Sequence, residues 1–208
     1  MQEHFDVLVV GAGISGIGAG YHLQTKCPGT SYAILEGRDA IGGTWDLFKF
    51  PGIRSDSDMY TLGFRFKPWK EQEAIADAPS ILKYLKETTE EFGIDKKIRF
   101  NKYVKAASWV SQESKWILEV EDAKNSDIQK ISCNFLFMCS GYYSYKSGYT
   151  PDFKGVEDFH GDVIHPQKWE KDYNYTNKKI IVVGSGATAV TIVPEMAKSA
   201  EHVTMLQR

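Results

Sequence analysis

FDVLVVGAGISGIGAGYHLQ, residues 5–24, decides how the chain folds. FDVLVV is a short, apolar, β-branched run of the kind buried on both faces of a sheet. The glycine-rich turn GAGISG follows, and IGAGYHLQ predicts a helix that stops before Cys27-Pro28-Gly29. SYAILE (31–36) then reads as a second strand, which completes a β-α-β unit. Each glycine of the turn answers a steric need. Gly11 allows the tight turn, Gly13 lets backbone approach a diphosphate, and Gly16 lets the helix pack closely on the strand. The diphosphate would sit at the helix N-terminus, where unpaired N–H groups and the helix dipole favour negative charge. Glu36 follows Gly16 by 20 residues at a strand end, placed for ribose hydroxyls.

The plan repeats near the other end of the chain. KKIIVVGSGATAVTIVPEMAKSAEHVTMLQR (178–208) again reads strand, glycine turn, helix, strand. Its turn runs Val183, Gly184, Ser185, Gly186, Ala187, Thr188, Ala189, with alanine at the third glycine position. Its second strand ends in Gln207-Arg208 with no acid, and Arg208 lies 19 residues beyond Ala189. A guanidinium in place of the acid suits a 2′-phosphate, which arginine binds through paired charge-assisted hydrogen bonds. The first unit therefore favours FAD or NAD and the second NADP. Two such sites in one chain suggest electron transfer from NADPH to a bound flavin.

Between them, 37–70 is rich in Gly, Pro, Asp, Ser and aromatics without periodicity and reads as a long functional loop. PSILKYLKETTEEFG (79–93) predicts a helix with Pro79 first, Ile81, Leu82, Leu85 and Phe92 on one face, and Gly93 at the stop. KYVKAASWV, KWILEVE and IQKIS predict a small antiparallel meander, and NFLFMCSG (134–141) a separate buried strand. The expected fold is α/β, with two Rossmann-like dinucleotide-binding units around that meander, truncated. The expected domains are 1–145 (the N-terminal part of an FAD-binding domain), a linker at 146–169, and 170–208 (the start of an NADP-binding domain).

Of 208 residues 42% are hydrophobic and 25% charged, with a formal charge of −2, an ordinary globular balance that argues against a nucleic-acid partner. No apolar run reaches membrane-spanning length, and Met1 leads almost directly into a strand, so neither a membrane span nor a signal peptide is expected. Cys27, Cys133 and Cys139 form no CxxC and read as packed thiols in a reducing cytoplasm, with no metal site. Peripheral membrane association and self-association are both left open.

FHGDVIHPQKW (159–169) stands before the second glycine turn, and its F-x-G-x-x-x-H-x-x-x-W pattern resembles the fingerprint of class B flavoprotein monooxygenases of the Baeyer–Villiger type. Phe159, Gly161, His165 and Trp169 hold the four fixed positions, and the family usually continues with Pro or Asp where this chain has Glu170. GGTWDL (42–47) and FPGIRSDSDMYTLGFRFKPW (50–69) resemble the ethionamide-activating subgroup. The resemblance implies that Ser15 meets the FAD diphosphate and that Gly43, Thr44, Trp45, Asp46 and Leu47 line FAD. It implies that the Val104 backbone meets the adenine end and that Arg54, Ser55 and Asp56 face the flavin–nicotinamide junction. His165 and Trp169 would couple domain movement to NADP binding.

The activity implied is FAD- and NADPH-dependent. One atom of O2, carried as a flavin C4a-peroxide, goes into a ketone to give an ester or lactone, or onto a sulfide or thioamide-type sulfur. Asp56 would pair with a transition-state arginine that lies beyond this chain. Two alternatives stand beside this reading: an N- and S-oxidising flavin-containing monooxygenase, or a non-catalytic nucleotide-binding remnant. Family members are more than twice this length, so the 208-residue chain alone is expected to bind FAD poorly and not to turn over.

Overall fold

The computed structural model describes residues 3–207, and the chain divides into two compact units, 1–46 with 82–142 and 47–81 with 143–208. In the first, β1 (Glu3–Val10) lies at the centre of a six-stranded sheet of order β3-β2-β1-β6-β5-β4. β1 is parallel to β2 (Tyr32–Leu35) on one side and to β6 (Ile128–Met138) on the other. β3 (Ile98–Arg99) extends the parallel part beyond β2. β4 (Lys102–Val110), β5 (Lys115–Asp122) and β6 form the antiparallel meander.

β4 lies at the far edge of the sheet, yet it follows β3 after only a short turn. The sheet therefore curls until its two ends meet. The Lys102 N–H donates to the carbonyl of Glu36 (2.8 Å), and the Asn101 N–H to that of Arg38 (2.9 Å). Inside the curl, Leu8, Val10, Ala33, Leu35, Leu118, Val120, Ile131 and Cys133 form one buried cluster. The alternate residues Val7, Val9 and Ile34 are buried as well. On that face runs α1 (Ile14–Lys26), which comes close through its glycines. A Cβ on Gly20 would stand 3.0 Å from Ile94 and 3.2 Å from Ile34. The unbroken apolar pattern of β1 thus has its cause in burial on both faces, as expected of a strand inside a β-α-β unit.

α4 (Ala78–Glu91) begins one residue before the expected Pro79, and Ile81, Tyr84 and Leu85 are buried along it. Its end is tied to α1: Gln24 Nε2 donates to the Phe92 carbonyl (3.0 Å), and the Phe92 ring meets Tyr21 edge-on at 4.9 Å.

In the second unit, β7 (Lys179–Val183) and β8 (His202–Leu206) are parallel, and α5 (Ala187–Met196) connects them. Phe48, Phe50, Ile192 and Met196 form its buried core, against which Trp169, Tyr175, Ile180, Val182 and Val203 pack. The stretch read as a loop, 37–70, contains α2 (Thr44–Leu47) and α3 (Met59–Leu62), and within the second unit Leu47, Phe48, Phe50 and Ile53 anchor it in this core. The backbone at Gly52 (φ +74°) runs so close to α5 that a Cβ there would lie 2.9 Å from that of Glu195. Aromatic anchoring rather than periodicity organises this segment.

Three expectations need correction. IQKIS and NFLFMCSG are one strand, not two: residues 131–133 pair with β1 and β5 at once, so the chain never leaves the sheet between them. The second half of that strand is not buried on both faces, for Phe135, Phe137 and Met138 are exposed. Cys27 is exposed at the end of α1, so only Cys133 is a fully packed thiol, with Cys139 between the two extremes.

Arg99 of β3 donates two hydrogen bonds, each 2.7 Å, to the Glu3 carboxylate of β1 and lies over the Phe5 ring at 4.8 Å. The Arg99 hydrogen bond holds the Glu3 carboxyl below its ordinary value. The pair is partly exposed, so salt weakens it. Because folding lowers this pKa, the stabilisation is present above the ordinary glutamate range and fades as pH falls through the lowered value. Melting followed by circular dichroism between about pH 6 and about pH 3 should show a smaller loss of stability in Glu3→Gln than in wild type.

Candidate functional site: two glycine turns

At the first turn, three strand ends leave no room for a side chain. The Gly11 N–H donates to Leu35 O (2.8 Å) and the Cys139 N–H to Val10 O (2.8 Å). A Cβ on Gly11, whose φ is +102°, would lie 2.5 Å from the Cys139 carbonyl oxygen. One on Gly16 would overlap the Gly11 carbonyl. Gly13 faces another backbone, with its Cβ position 3.8 Å from the Gly43 Cα. α1 begins at Gly13 with no side-chain cap and no acid in its first turn, and Ser15 is exposed there. Such a terminus is open to an anion.

Glu36 does something the sequence did not reveal. It is only 1% exposed. Oε2 accepts from the Ala12 N–H (2.8 Å), and Oε1 from the Arg38 N–H (3.0 Å). The carboxylate holds the glycine turn in place, and each oxygen keeps acceptor capacity for a further donor. Gly43, Thr44, Trp45 and Asp46 enter the same neighbourhood, because the Gly42 N–H donates to Ala12 O (3.0 Å). Val104 is half-buried on β4, two residues past Lys102, and stands next to a register shift in the β4–β5 pair. The first unit therefore brings the Gly43 backbone against Gly13 and ties Glu36 to the glycine turn at Ala12, while Ser15 and Gly16 lie at the start of α1, Thr44, Trp45 and Asp46 in α2 and Val104 on β4. Burial pushes the neighbouring Cys139 thiol up.

The second unit holds the remainder. α5 also starts uncapped, at Gly186, with no acid in its first turn. Gly184 has φ +117°, yet a Cβ on it or on Gly186 would meet nothing within 4 Å. Ala189 at the third position is buried, whereas Val183, Ser185, Ala187 and Gln207 are exposed and Thr188 is half-buried. Arg208 lies outside the described residues. Leu47 packs on the aromatic core. Arg54 bridges Asp77, and the buried Ser55 accepts at Oγ from the Ala76 N–H (3.0 Å). Asp56 is exposed, and the turn-capping acid of this segment is Asp58, which accepts from the Thr61 N–H (2.8 Å).

The fingerprint residues do local work. His165 starts a short 3-10 turn, where Nδ1 accepts from the Gln167 N–H (3.2 Å) and Pro166 takes the first position. Its ring lies flush against Gly148, where any Cβ would overlap it. The Phe159 ring covers Gly161, where a Cβ would come within 2.6 Å. Trp169 packs on the second unit's core and meets Tyr173 edge-on at 5.8 Å.

Three features escaped the sequence reading. Arg38, two residues past Glu36, pairs with Asp46; a cation beside a candidate ligand acid was the available signal. Gly148 makes room for His165, and only structure reveals it. Tyr173 Oη donates to Asp162 (2.7 Å), and Lys178 Nζ approaches both at 3.0 and 3.2 Å, which staples the fingerprint to the start of β7. Those donors, Tyr173 first and then Lys178, hold the Asp162 carboxyl below the usual range. Among the described residues, no cluster of His, Cys, Asp and Glu is arranged for a metal, and no helix is long and apolar enough to cross a membrane.

Two glycine turns, each leading from a parallel strand into an uncapped helix, define a protein with tandem Rossmann-like units. The chain belongs to the flavin-binding monooxygenase-like family, whose profile matches residues 68–208; that of NAD(P)-binding Rossmann-like domains matches 9–76. It is 57% identical to the FAD-containing monooxygenase EthA of Mycobacterium tuberculosis, over all of this chain and 42% of that protein. It is 50% identical to the probable FAD-binding monooxygenase AlmA of Acinetobacter baylyi, again over all of this chain and 42% of the relative. Among solved structures it resembles an oxidized steroid monooxygenase bound to NADP, with TM-score 0.83 and 29% identity over 99% of this chain and 39% of that one. It also resembles OTEMO in complex with FAD and NADP, with TM-score 0.80 and 28% identity over 100% of this chain and 40% of that one. The chain thus spans less than half the length of these relatives.

Since Trp169 is seated on the second unit's core, its truncation should loosen that unit. Trp169→Ala should cost about 3 kcal/mol locally. Hydrogen exchange at β7 and α5 should accelerate while that of β1 and β2 stays unchanged.

Proposed function

We propose that this chain is the nucleotide-binding part of an FAD- and NADPH-dependent monooxygenase of Baeyer–Villiger type. FAD would be held at the first turn and NADP at the second. The observation that carries the reading is the pair of uncapped helix N-termini behind glycine turns, 11–16 and 184–189, at chemically different strand ends. The first ends in the buried Glu36 carboxylate, the second in Gln207-Arg208 with no acid. The names of the relatives support the use of both dinucleotides, since they include proteins called FAD-containing and structures bound to FAD and NADP.

The residues present fit such groups. At the first turn the α1 N–H groups would take the diphosphate, with the exposed Ser15 beside them. Glu36 would keep the turn rigid and offer its remaining lone pairs to ribose hydroxyls. The backbone of Gly43 to Asp46 would close over the flavin side, and the Val104 backbone would meet the adenine end. At the second turn the N–H groups at the uncapped start of α5 would take a diphosphate. Arg208 would pair with the 2′-phosphate.

When bound, FAD supplies a centre that NADPH reduces and that then activates O2. The chain's own part is to fix the two dinucleotides and to keep water from the reacting end. Arg54 and Ser55 would face the nicotinamide, with Ser55 fixed by its buried bond to Ala76. Asp56 would orient a cation supplied by the rest of the protein. Phe159, Gly161, His165 and Trp169 would transmit the occupancy of the second site to the linker. The substrate would be a ketone, giving an ester or lactone, or a sulfide or thioamide-type sulfur. The compartment would be cytoplasmic.

Production of the whole gene product and incubation with NADPH, O2 and phenylacetone tests this. Benzyl acetate is the expected product, and Asp56→Ala should lower its rate at least about tenfold. Sulfoxide from a thioether with no ester from the ketone would move the protein to the N- and S-oxidising class.

A further inference from the structure

We infer that Arg38 is the residue that positions the flavin dinucleotide in the first site, an inference that rests on the reading of that site given above. Arg38 is tied to every other piece of the site. Its N–H donates to Glu36 Oε1 (3.0 Å), which in turn shares a carboxylate with the Ala12 N–H of the glycine turn. Its carbonyl accepts from the Asn101 N–H (2.9 Å), where the sheet closes on itself and β4 sets out towards Val104. Its guanidinium is ion-paired with Asp46 of α2 and points at the main-chain oxygens of Gly43 (3.4 Å) and Asp46 (3.5 Å). One side chain thus fastens the segment that faces Gly13 to the strand end that carries Glu36.

Chemistry explains why the residue is an arginine. A planar fork can serve a carboxylate and two carbonyls at once, which an ammonium on a flexible stem cannot do with the same order. Charge matters as much as geometry. Glu36 and Asp46 are both carboxylates, and the expected ligand is a dianionic diphosphate. Arg38 neutralises Asp46, so its loss leaves an uncompensated carboxylate on the segment whose Gly43 backbone faces Gly13, where the anion is expected. Asp46 and Arg38 are equally sheltered, each 22% exposed at the side chain, so solvent screens the pair only in part. Arg38 acts through Gly43, Asp46 and Glu36, and no direct contact with the ligand is needed.

The test uses the FAD-free whole gene product titrated with FAD, followed by quenching of flavin fluorescence, with NADP titrated separately. Arg38→Ala should weaken FAD roughly 10- to 100-fold. NADP affinity and the melting temperature of the FAD-free protein should stay near wild type. Hydrogen exchange at residues 42–46 should accelerate without FAD present. Arg38→Lys should recover part of the affinity. Asp46→Asn added to Arg38→Ala should recover part of it too, because it removes the orphaned carboxylate; a residue that merely stabilised the fold would show no such rescue. Wild-type FAD affinity in Arg38→Ala, or equal loss of FAD and NADP affinity, would overturn the positioning role. Wild-type protein that fails to bind FAD at all would overturn the reading of the first site, and this inference with it.

Discussion

The Glu36 carboxylate sits at the point where the first unit is assembled. It is buried at the end of β2, and its oxygens take N–H groups from two different segments, Ala12 of the glycine turn and Arg38 of the following turn. Hydrogen bonds to a charged group contribute roughly 1.5–3 kcal/mol each, and a buried carboxylate stripped of them would be costly. That requirement fixes where the glycine turn can lie. With Ala12 fixed, Gly42 is drawn in by its bond to the Ala12 carbonyl, and the Gly43 backbone comes to face Gly13. The strand ends press on the turn from below, so that only glycine fits at 11 and 16. These constraints leave the N-terminus of α1 uncapped behind the turn.

In the second unit the strands are held by Phe48, Phe50, Ile192 and Met196. Ile181 and Val183 on the opposite face of β7 remain exposed. The residues that resemble a family fingerprint are part of this packing. Trp169 supplies apolar area, Gly148 makes room for the His165 ring, and Asp162, Tyr173 and Lys178 lock the segment to β7.

Much of this was legible in the sequence, and the limits have physical reasons. Steric rules identify the strand–turn–helix pattern at both ends, because a buried parallel strand must be apolar on both faces and a tight turn needs glycine. Helix α4 was legible from its apolar stripe and its stop signal. β6 was not, because Ser132 and Asn134 look like a break until the pairing of 131–133 with two neighbours is known. The apolar content of Phe135 and Phe137 shows that those side chains favour burial, but nothing in a local pattern says what covers them. Spacing singles out Glu36 as a candidate acid at the strand end, whereas its bonds to Ala12 and Arg38 depend on the turn closing back. Arg38 stayed hidden for the same reason: its partner Asp46 lies across a turn whose shape no periodicity encodes. The order in 37–70 was invisible because aromatic residues spaced irregularly along the chain carry it.

If, as proposed, the two turns serve different dinucleotides, reducing equivalents pass from one to the other. The decisive measurement is anaerobic visible absorption of the whole gene product during titration with NADPH and then with NADH. Bands of bound flavin should bleach with NADPH and resist NADH, and Arg208→Ala should lose that preference. A protein that carries no flavin, or one whose flavin bleaches equally with both nucleotides, would rule this division out.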